Sequence, residues 1–445
     1  MPDKKSIERL LLIIQKFLKG NPTQLSEVNR QNPIIFHYYM EIIRYFNKIN
    51  FILSYSLSAL GTKARLTRIK KSLYLYLVYR VIWEKTSLKE LLKEMKSFFM
   101  KTPYKLTKKT LITIYNKLKT FSWNKALKNK APIEKLSIKE AVPTFFIKKV
   151  KPYLDFNFLK ENIKLMNSPE ELNFYFVINI KFDENYKALS QKINNFLKNK
   201  EIPYKNNENL EYIYQIPFSY KNDIIKSDFN RKGIIIVLDK ASIYTANLIK
   251  PVKDDIICDM CAGPGMKTSI INQFSQDNSH IIAAEFRINR AKIMKSLFNL
   301  YQMSNISIIN ADSISFPLKK GKQFDKLLLD APCTGSGAFS SNPELKWRQN
   351  NSFLHQNTIL QEKLLQSAIN MLKQGGELIY STCSFYPQEG ELQILKFLDK
   401  LDPLSLPNYI SFSYNINGKQ IPGTGRLFPL LHGTKGFFIG KFKKK

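Results

Sequence analysis

The sequence predicts an α/β protein: a doubly wound, mostly parallel sheet of seven strands, preceded by an all-α region and a small α+β module. Three observations carry this. From Gly233 onward, short apolar runs alternate with helical patterns, and such β-α-β alternation builds a parallel sheet. Before about residue 125, apolar residues recur at helical spacing, with little glycine and few turn signals. Between these regions the two patterns mix. A chain of 445 residues also exceeds one small core. The expected domains are 1–128, all-α; 143–232, α+β; and 233–445, the parallel sheet with its helices.

In order along the chain, helices are expected at 7–17, 33–60, 72–83 and 88–99, where apolar residues share one helical face. Residues 129–142 read as a linker with a proline near each end. Next come a strand at 174–182, a helix at 186–199 and a strand at 210–216. Strands of the parallel sheet are expected at 233–238, 256–258, 281–284, 306–309, 326–329 and 377–380. Helices lie at 287–303 and 353–372, the second followed by Gly375-Gly376, a helix-ending signal. Runs near 409–414 and 436–442 suit closing antiparallel strands, and no internal repeat is visible.

The net charge of +33 points to a polyanionic partner. A lysine-rich genome would supply some of that excess, but need not distribute it unevenly. Residues 1–150 contain 31 Lys and Arg against 9 Asp and Glu, which is +22 of the total. Residues 101–130 hold nine lysines and no acid, interleaved with Tyr104, Tyr115, Phe121 and Trp123. That pattern suits phosphate contacts with stacking aromatics, on RNA or DNA. It also suits a solvated helix face. Four cysteines are too sparse for a disulfide scaffold and fit a reducing, cytoplasmic setting. Cys258 and Cys261 form a C-x-x-C without a second pair, and Cys258 sits in an apolar run, so a core residue is expected rather than zinc. The uncharged stretch 49–62 is shorter than the ~18 residues a membrane span needs. The N-terminus, charged at Asp3, Lys4, Lys5, Glu8 and Arg9, reads as a helix start rather than a secretory signal. No membrane or metal partner is expected, and the chain is read as a monomer.

The chemistry concentrates in three segments, each after a strand-like run. The first is Asp259-Met260-Cys261-Ala262-Gly263-Pro264-Gly265-Met266-Lys267-Thr268. In a doubly wound sheet, ligands bind beyond the carboxyl ends of the strands. Gly263 and Gly265 allow close backbone approach there. Glu285, ending the next strand, suits a ribose diol, and Asp312 after the third suits an adenine amine. A P-loop would need glycine where Met266 stands, and G-x-G-x-x-G is absent. The combination points to S-adenosylmethionine on a Rossmann-like sheet.

The other two segments are Asp330-Ala331-Pro332-Cys333 and Tyr380-Ser381-Thr382-Cys383. Strands four and five of such a sheet flank the reacting methyl, so Cys333 and Cys383 would face one pocket. Their chemistry fits a pyrimidine. C5 of cytosine is a poor nucleophile until a thiolate adds at C6; an acid near N3 stabilises the adduct, and a base later removes the C5 proton. Spacing alone leaves open which cysteine attacks, because a Pro-Cys supplies the nucleophile in DNA cytosine methyltransferases.

These segments resemble the Sun/RsmB family of RNA 5-methylcytosine methyltransferases. The resemblance rests on Cys261–Lys267, Leu329–Gly337, Tyr380–Ser384, Asn342-Pro343-Glu344, Gln361 and Gly436-Phe437-Phe438. It covers residues 230–445, and extends to 143–230 through Asn179-Ile180-Lys181. It implies that Cys383 attacks C6, that Cys333 assists product release, and that Asp330 contacts cytosine N3 beside Lys267. It also implies that Cys261, Ala262, Gly263, Pro264, Gly265, Met266, Lys267, Glu285, Arg290, Asp312 and Asp330 hold S-adenosylmethionine. The helical first region looks like the NusB-type RNA-binding domain that some members carry. Ribosomal RNA is then the expected substrate, with transfer RNA as the alternative. DNA methylation with Cys333 as nucleophile would leave Thr382-Cys383 unexplained. A non-catalytic assembly factor would leave both cysteines unexplained. Departures from the family pattern are Gly263 and Met266 in the loop, Leu238 in place of glutamine and Val177 in place of arginine.

Overall fold

The computed structural model describes residues 2–20, 32–58, 66–99, 103–104, 106–182, 186–275, 278–319 and 321–445. It divides into two compact units, Met1–Lys148 and Lys149–Lys445. Residues 59–60 of the second expected helix, residues 59–62 of the 49–62 stretch, and Lys101 and Lys105 lie outside the described residues.

The first unit is helical, with longer helices at Lys4–Leu18, Pro33–Arg44, Phe46–Ser58, Arg68–Ile82 and Lys108–Lys119. Arg68–Ile82 is its centre: every residue from Ser72 to Val81 is buried. The helix is therefore surrounded rather than amphipathic. Its buried Arg80 is held by Glu84 and by Glu94 at 2.6 Å. Two expectations change here. The expected linker contains a helix, Pro132–Lys139, because Pro132 occupies the first helical position, where no amide hydrogen is needed. Tyr104 is buried edge-on against Phe98 and belongs to the core. Phe121 and Trp123 pack on each other, half-buried.

In the second unit, four strands form an antiparallel sheet in the order β2-β3-β1-β4: β1 (Asn173–Ile178), β2 (Lys205–Asn206), β3 (Ile213–Pro217) and β4 (Ile235–Val237). The 233–238 run was expected in the parallel sheet. It pairs antiparallel with β1 instead, Ile236 opposite Val177. The Val177 side chain lies fully in the core that joins this module to the larger sheet. Asn179, also buried, fixes the join by donating to the carbonyls of Gly233 and Tyr301, both at 2.9 Å.

Among the described residues the larger sheet has nine strands rather than seven. They are β5 (Ile256–Asp259), β6 (His280–Ala284), β7 (Ile306–Ile309), β8 (Phe324–Asp330), β9 (Leu372–Thr382), β10 (Leu401–Pro403), β11 (Ser411–Phe412), β12 (Thr424–Leu427) and β13 (Phe437–Lys444). The order is β11-β12-β13-β9-β8-β5-β6-β7, with β10 beside β13. Strands β9-β8-β5-β6-β7 are parallel, and β10 to β13 add antiparallel pairs at one side. The two strands beyond expectation are β10 and β12; β12 reads as turn and charge, Thr-Gly-Arg-Leu. Gly375-Gly376 does not cap the helix Asn351–Met371, which runs directly into β9. Gly375, at φ 74°, lies where the β8–β9 register shifts, a bulge. Among the described residues no helix is long and apolar enough to cross a membrane.

Candidate active site

Strands β5, β6, β8 and β9 end at the same edge of the sheet, and their final residues build the site. After β5, the Met260 amide donates to Leu328 O (3.0 Å) and the Ala262 amide to Ala284 O (2.9 Å). These bonds lay the loop 260–265 across β8 and β6 before the helix Met266–Ser275 begins. The Gly263–Pro264 bond is cis. A Cβ on Gly263 would lie 2.0 Å from Glu285 Oε2. Glycine thus permits the loop to pass directly over this carboxylate.

Glu285 is buried; its Oε1 accepts from the Arg287 amide at 2.8 Å and its Oε2 lies 3.3 Å from Arg290 Nη1. Arg290 also donates to the Gly263 carbonyl. Arg290 therefore braces the loop against Glu285. Asp312 is exposed beyond β7 and accepts from the Ile314 amide at 2.9 Å. Burial pushes the Cys261 thiol up, so it stays protonated.

Lys267 connects this loop to the end of β8. Its ammonium donates to Asp330 Oδ2 at 2.6 Å, while Ser381 Oγ donates to Asp330 Oδ1 at 2.7 Å. Burial favours neutral Lys267, but the Asp330 charge outweighs it and holds the lysine above its ordinary value. Lys267 is therefore a fixed cation at neutral pH, not a base. Beneath it, Asp259 accepts from Thr268 Oγ1 at 2.7 Å, and burial pushes its carboxyl up to about 7.

Cys333 and Cys383, from the ends of β8 and β9, meet with sulfurs 3.2 Å apart, both part-buried. The bond to Cys383, and then burial, raise the Cys333 thiol well above its ordinary value. Either sulfur can be the donor in this contact. Gly337 N donates to Cys383 O at 2.9 Å and Gly436 N to Gly337 O at 3.1 Å, so three chain segments converge behind the thiols.

Sequence reasoning missed the group that holds this corner. Glu389 is fully buried, and its carboxylate accepts from the Thr334 amide and hydroxyl, Ser384 Oγ (2.6 Å) and Gln361 Nε2 (3.0 Å). Each cysteine is followed by a residue bonded to this one carboxylate. A further buried pair sits behind it: Arg426 clasps Glu391 through two bonds, 2.7 and 2.6 Å, and donates to Ser384 O. The signal available was Glu389-Gly390-Glu391, one residue after an apolar Phe385-Tyr386-Pro387 run. The structure thus brings Cys333, Cys383, Asp330 and Lys267 together, with Gly263, Glu285 and Arg290 at the neighbouring strand end. Asp312 stands apart at the surface.

Residues 246–443 match the model of the 16S rRNA methyltransferase RsmB/F family. The match spans a little under half of the chain, and over that stretch the chain resembles the RsmB/F family. Within it, the chain is 31% identical over 216 residues to a ribosomal RNA small subunit methyltransferase B of Photorhabdus laumondii, covering 48% of each chain. It is 32% identical over 213 residues to a tRNA (cytosine(72)-C(5))-methyltransferase of Pyrococcus horikoshii, covering 48% of this chain and 53% of that one. The chain thus spans about half the length of these curated relatives. A solved methyltransferase homologue from Pyrococcus horikoshii is 26% identical, with a TM-score of 0.58, over 71% of this chain and 100% of its own. The two thiols, Asp330 and the Lys267 loop all lie inside the matched RsmB/F region.

Proposed function

We propose that this chain methylates C5 of a cytosine in RNA, using S-adenosylmethionine and a covalent cysteine–C6 adduct. The observation that carries the reading is the meeting of Cys333 and Cys383 at 3.2 Å, at the ends of adjacent strands beside a lysine-held carboxylate. Cys383 is the nucleophile, and the Cys333 S–H donates to its sulfur as the thiolate forms. As the Cys383 thiolate adds to C6, N3 takes up a proton in exchange for the one the thiol loses, and the lysine-paired Asp330 carboxylate accepts from the N3–H and the 4-amine. After methyl transfer, Cys333, its own proton passed to solvent, takes the C5 proton; the C6–S bond breaks, Cys383 leaves as thiolate and recovers the proton from N3, and 5-methylcytosine is released. Lys267 holds Asp330 in place throughout. The target base must be unpaired or flipped to reach the thiols.

The residues fit the cofactor. Gly263 gives a backbone cradle over Glu285, which suits a ribose diol. Met266, Ala262 and Pro264 shape the same loop, and Asp312 would accept from the adenine amine. When bound, S-adenosylmethionine supplies an electrophilic methyl group. Gly263→Ala is expected to weaken its binding at least about tenfold by displacing Glu285, at the scale of a lost charged hydrogen bond. Calorimetric titration checks this. Melting should fall as well, since the displaced Glu285 Oε2 is buried and paired with Arg290.

Ribosomal RNA is the favoured substrate, from the relatives' names; the tRNA enzyme of Pyrococcus horikoshii keeps transfer RNA as a second reading. The basic helical region, as a NusB-like domain, would add phosphate contacts, so affinity for RNA should fall steeply with salt. The decisive test expresses Cys333→Ala in the native host. A protein–RNA adduct that survives denaturation is expected, and sequencing the trapped RNA identifies the substrate. Absence of both an adduct and of methyl transfer by the unaltered protein would reject the proposal.

A further inference from the structure

A polar cleft of about 490 Å³ opens between β3 and the turn that precedes β13. Lys205, Asn209 and Gln215 line its mouth, and Lys240, Tyr244 and His432 lie deeper. Lys240 is only 8% exposed, yet it makes no hydrogen bond or ion pair among the described residues. Its ammonium rests over the rings of Tyr175 (5.1 Å) and Tyr244 (5.9 Å). Half-buried Lys267 and Lys326 and fully buried Arg426 each hold a carboxylate. A buried ammonium without such a partner carries a desolvation cost that an anion would relieve.

The neighbouring groups do not supply that anion. Asp239 accepts from the Ala241 amide (3.1 Å) and from Thr434 Oγ1 (2.6 Å), capping the helix Lys240–Asn247. His432 accepts at Nδ1 from the Phe428 amide (2.8 Å) and shares Nε2 with Ser411 (3.1 Å), and burial keeps it neutral. Burial likewise keeps the phenols of Tyr175 and Tyr244 protonated. Glu208 lies at the exposed rim, opposite Lys205. The turn flooring the cleft continues into Gly436, whose amide bonds Gly337, which in turn bonds the Cys383 carbonyl. Cleft and thiols are therefore linked through two backbone hydrogen bonds.

We propose that this cleft holds a backbone phosphate of the RNA strand whose cytosine lies at Cys383, with Lys240 and Lys205 as its cations. The proposal rests on the RNA reading above and adds the contact that positions the strand. Burial lowers Lys240 to about 8, against the opposing effect of Asp239 and with a smaller contribution from Lys205. Its charge is therefore lost as pH rises through that value.

The test measures binding of a labelled, mixed-sequence single-stranded RNA to the full chain by fluorescence anisotropy. Lys240→Met should weaken binding roughly tenfold, the scale of a charged hydrogen bond. It should also reduce the slope of log affinity against log salt by about 0.7, as loss of one phosphate contact requires. Lys240→Arg should retain both. Affinity of the unaltered protein should fall as pH rises through about 8, while Lys240→Arg stays level. Lys205→Ala, at an exposed position, should give a smaller loss and tests the cleft even if Lys240→Met fails to fold. Unchanged affinity and salt slope in Lys240→Met would overturn the proposal. So would inorganic phosphate binding at Lys240 without any effect of the substitution on RNA. RNA binding that depends on Lys240 without methyl transfer would reject the enzyme reading and leave this contact standing.

Discussion

Cys383→Ala is expected to reduce methyl transfer to RNA by on the order of 10³-fold or more, the scale seen when a covalent nucleophile is removed. The fold should survive. The side chain is part-buried, and its backbone carbonyl, not its sulfur, bonds Gly337. The loss should appear in single-turnover rate, with affinity for RNA and cofactor retained. In a Cys333→Ala background, Cys383→Ala should also remove the trapped adduct. Substantial transfer by Cys383→Ala, together with its loss in Cys333→Ala, would exchange the two roles. The 3.2 Å approach of the sulfurs makes that outcome geometrically open, so the experiment discriminates.

The largest effect on stability is expected behind the site. Arg426→Met leaves Glu391 buried without its partner, and should cost about 3–5 kcal/mol in denaturant unfolding. Arg426 also lies 3.9 Å over the Tyr414 ring and donates to Ser384 O, so the residue next to Cys383 loses support as well. Replacing both partners, Glu391→Leu with Arg426→Met, should recover much of the loss, because no unpaired charge remains. A double variant as unstable as the single one would show that ring packing and the Ser384 bond, not the ion pair, hold this corner.

How much of this was legible depended on the residue type. The parallel strands declared themselves because both their faces are buried, which leaves short apolar runs. The loops after β5, β8 and β9 were legible because glycine, proline, cysteine and acid together have few other uses. Glu389 and Arg426 were not, because charged residues are usually at the surface and only the completed fold supplies their partners. Lys240 was hidden for the same reason. Pro132 was taken for a break because sequence alone does not show whether a proline interrupts a helix or begins one. Residues 233–238 have the composition of any buried strand, and β1, not their own pattern, decides which sheet they join.

Strand β13 lies between β9 and β12, and its Phe437 ring sits 5.5 Å from the Lys267 ammonium. During synthesis β9 leaves the ribosome well before β13. Until Phe437–Lys444 emerges, the strand that carries Cys383 has an open edge, and an open edge invites pairing with other chains. The corner proposed for catalysis therefore cannot assemble in step with translation. A nascent chain arrested after β9 should be the aggregation-prone species.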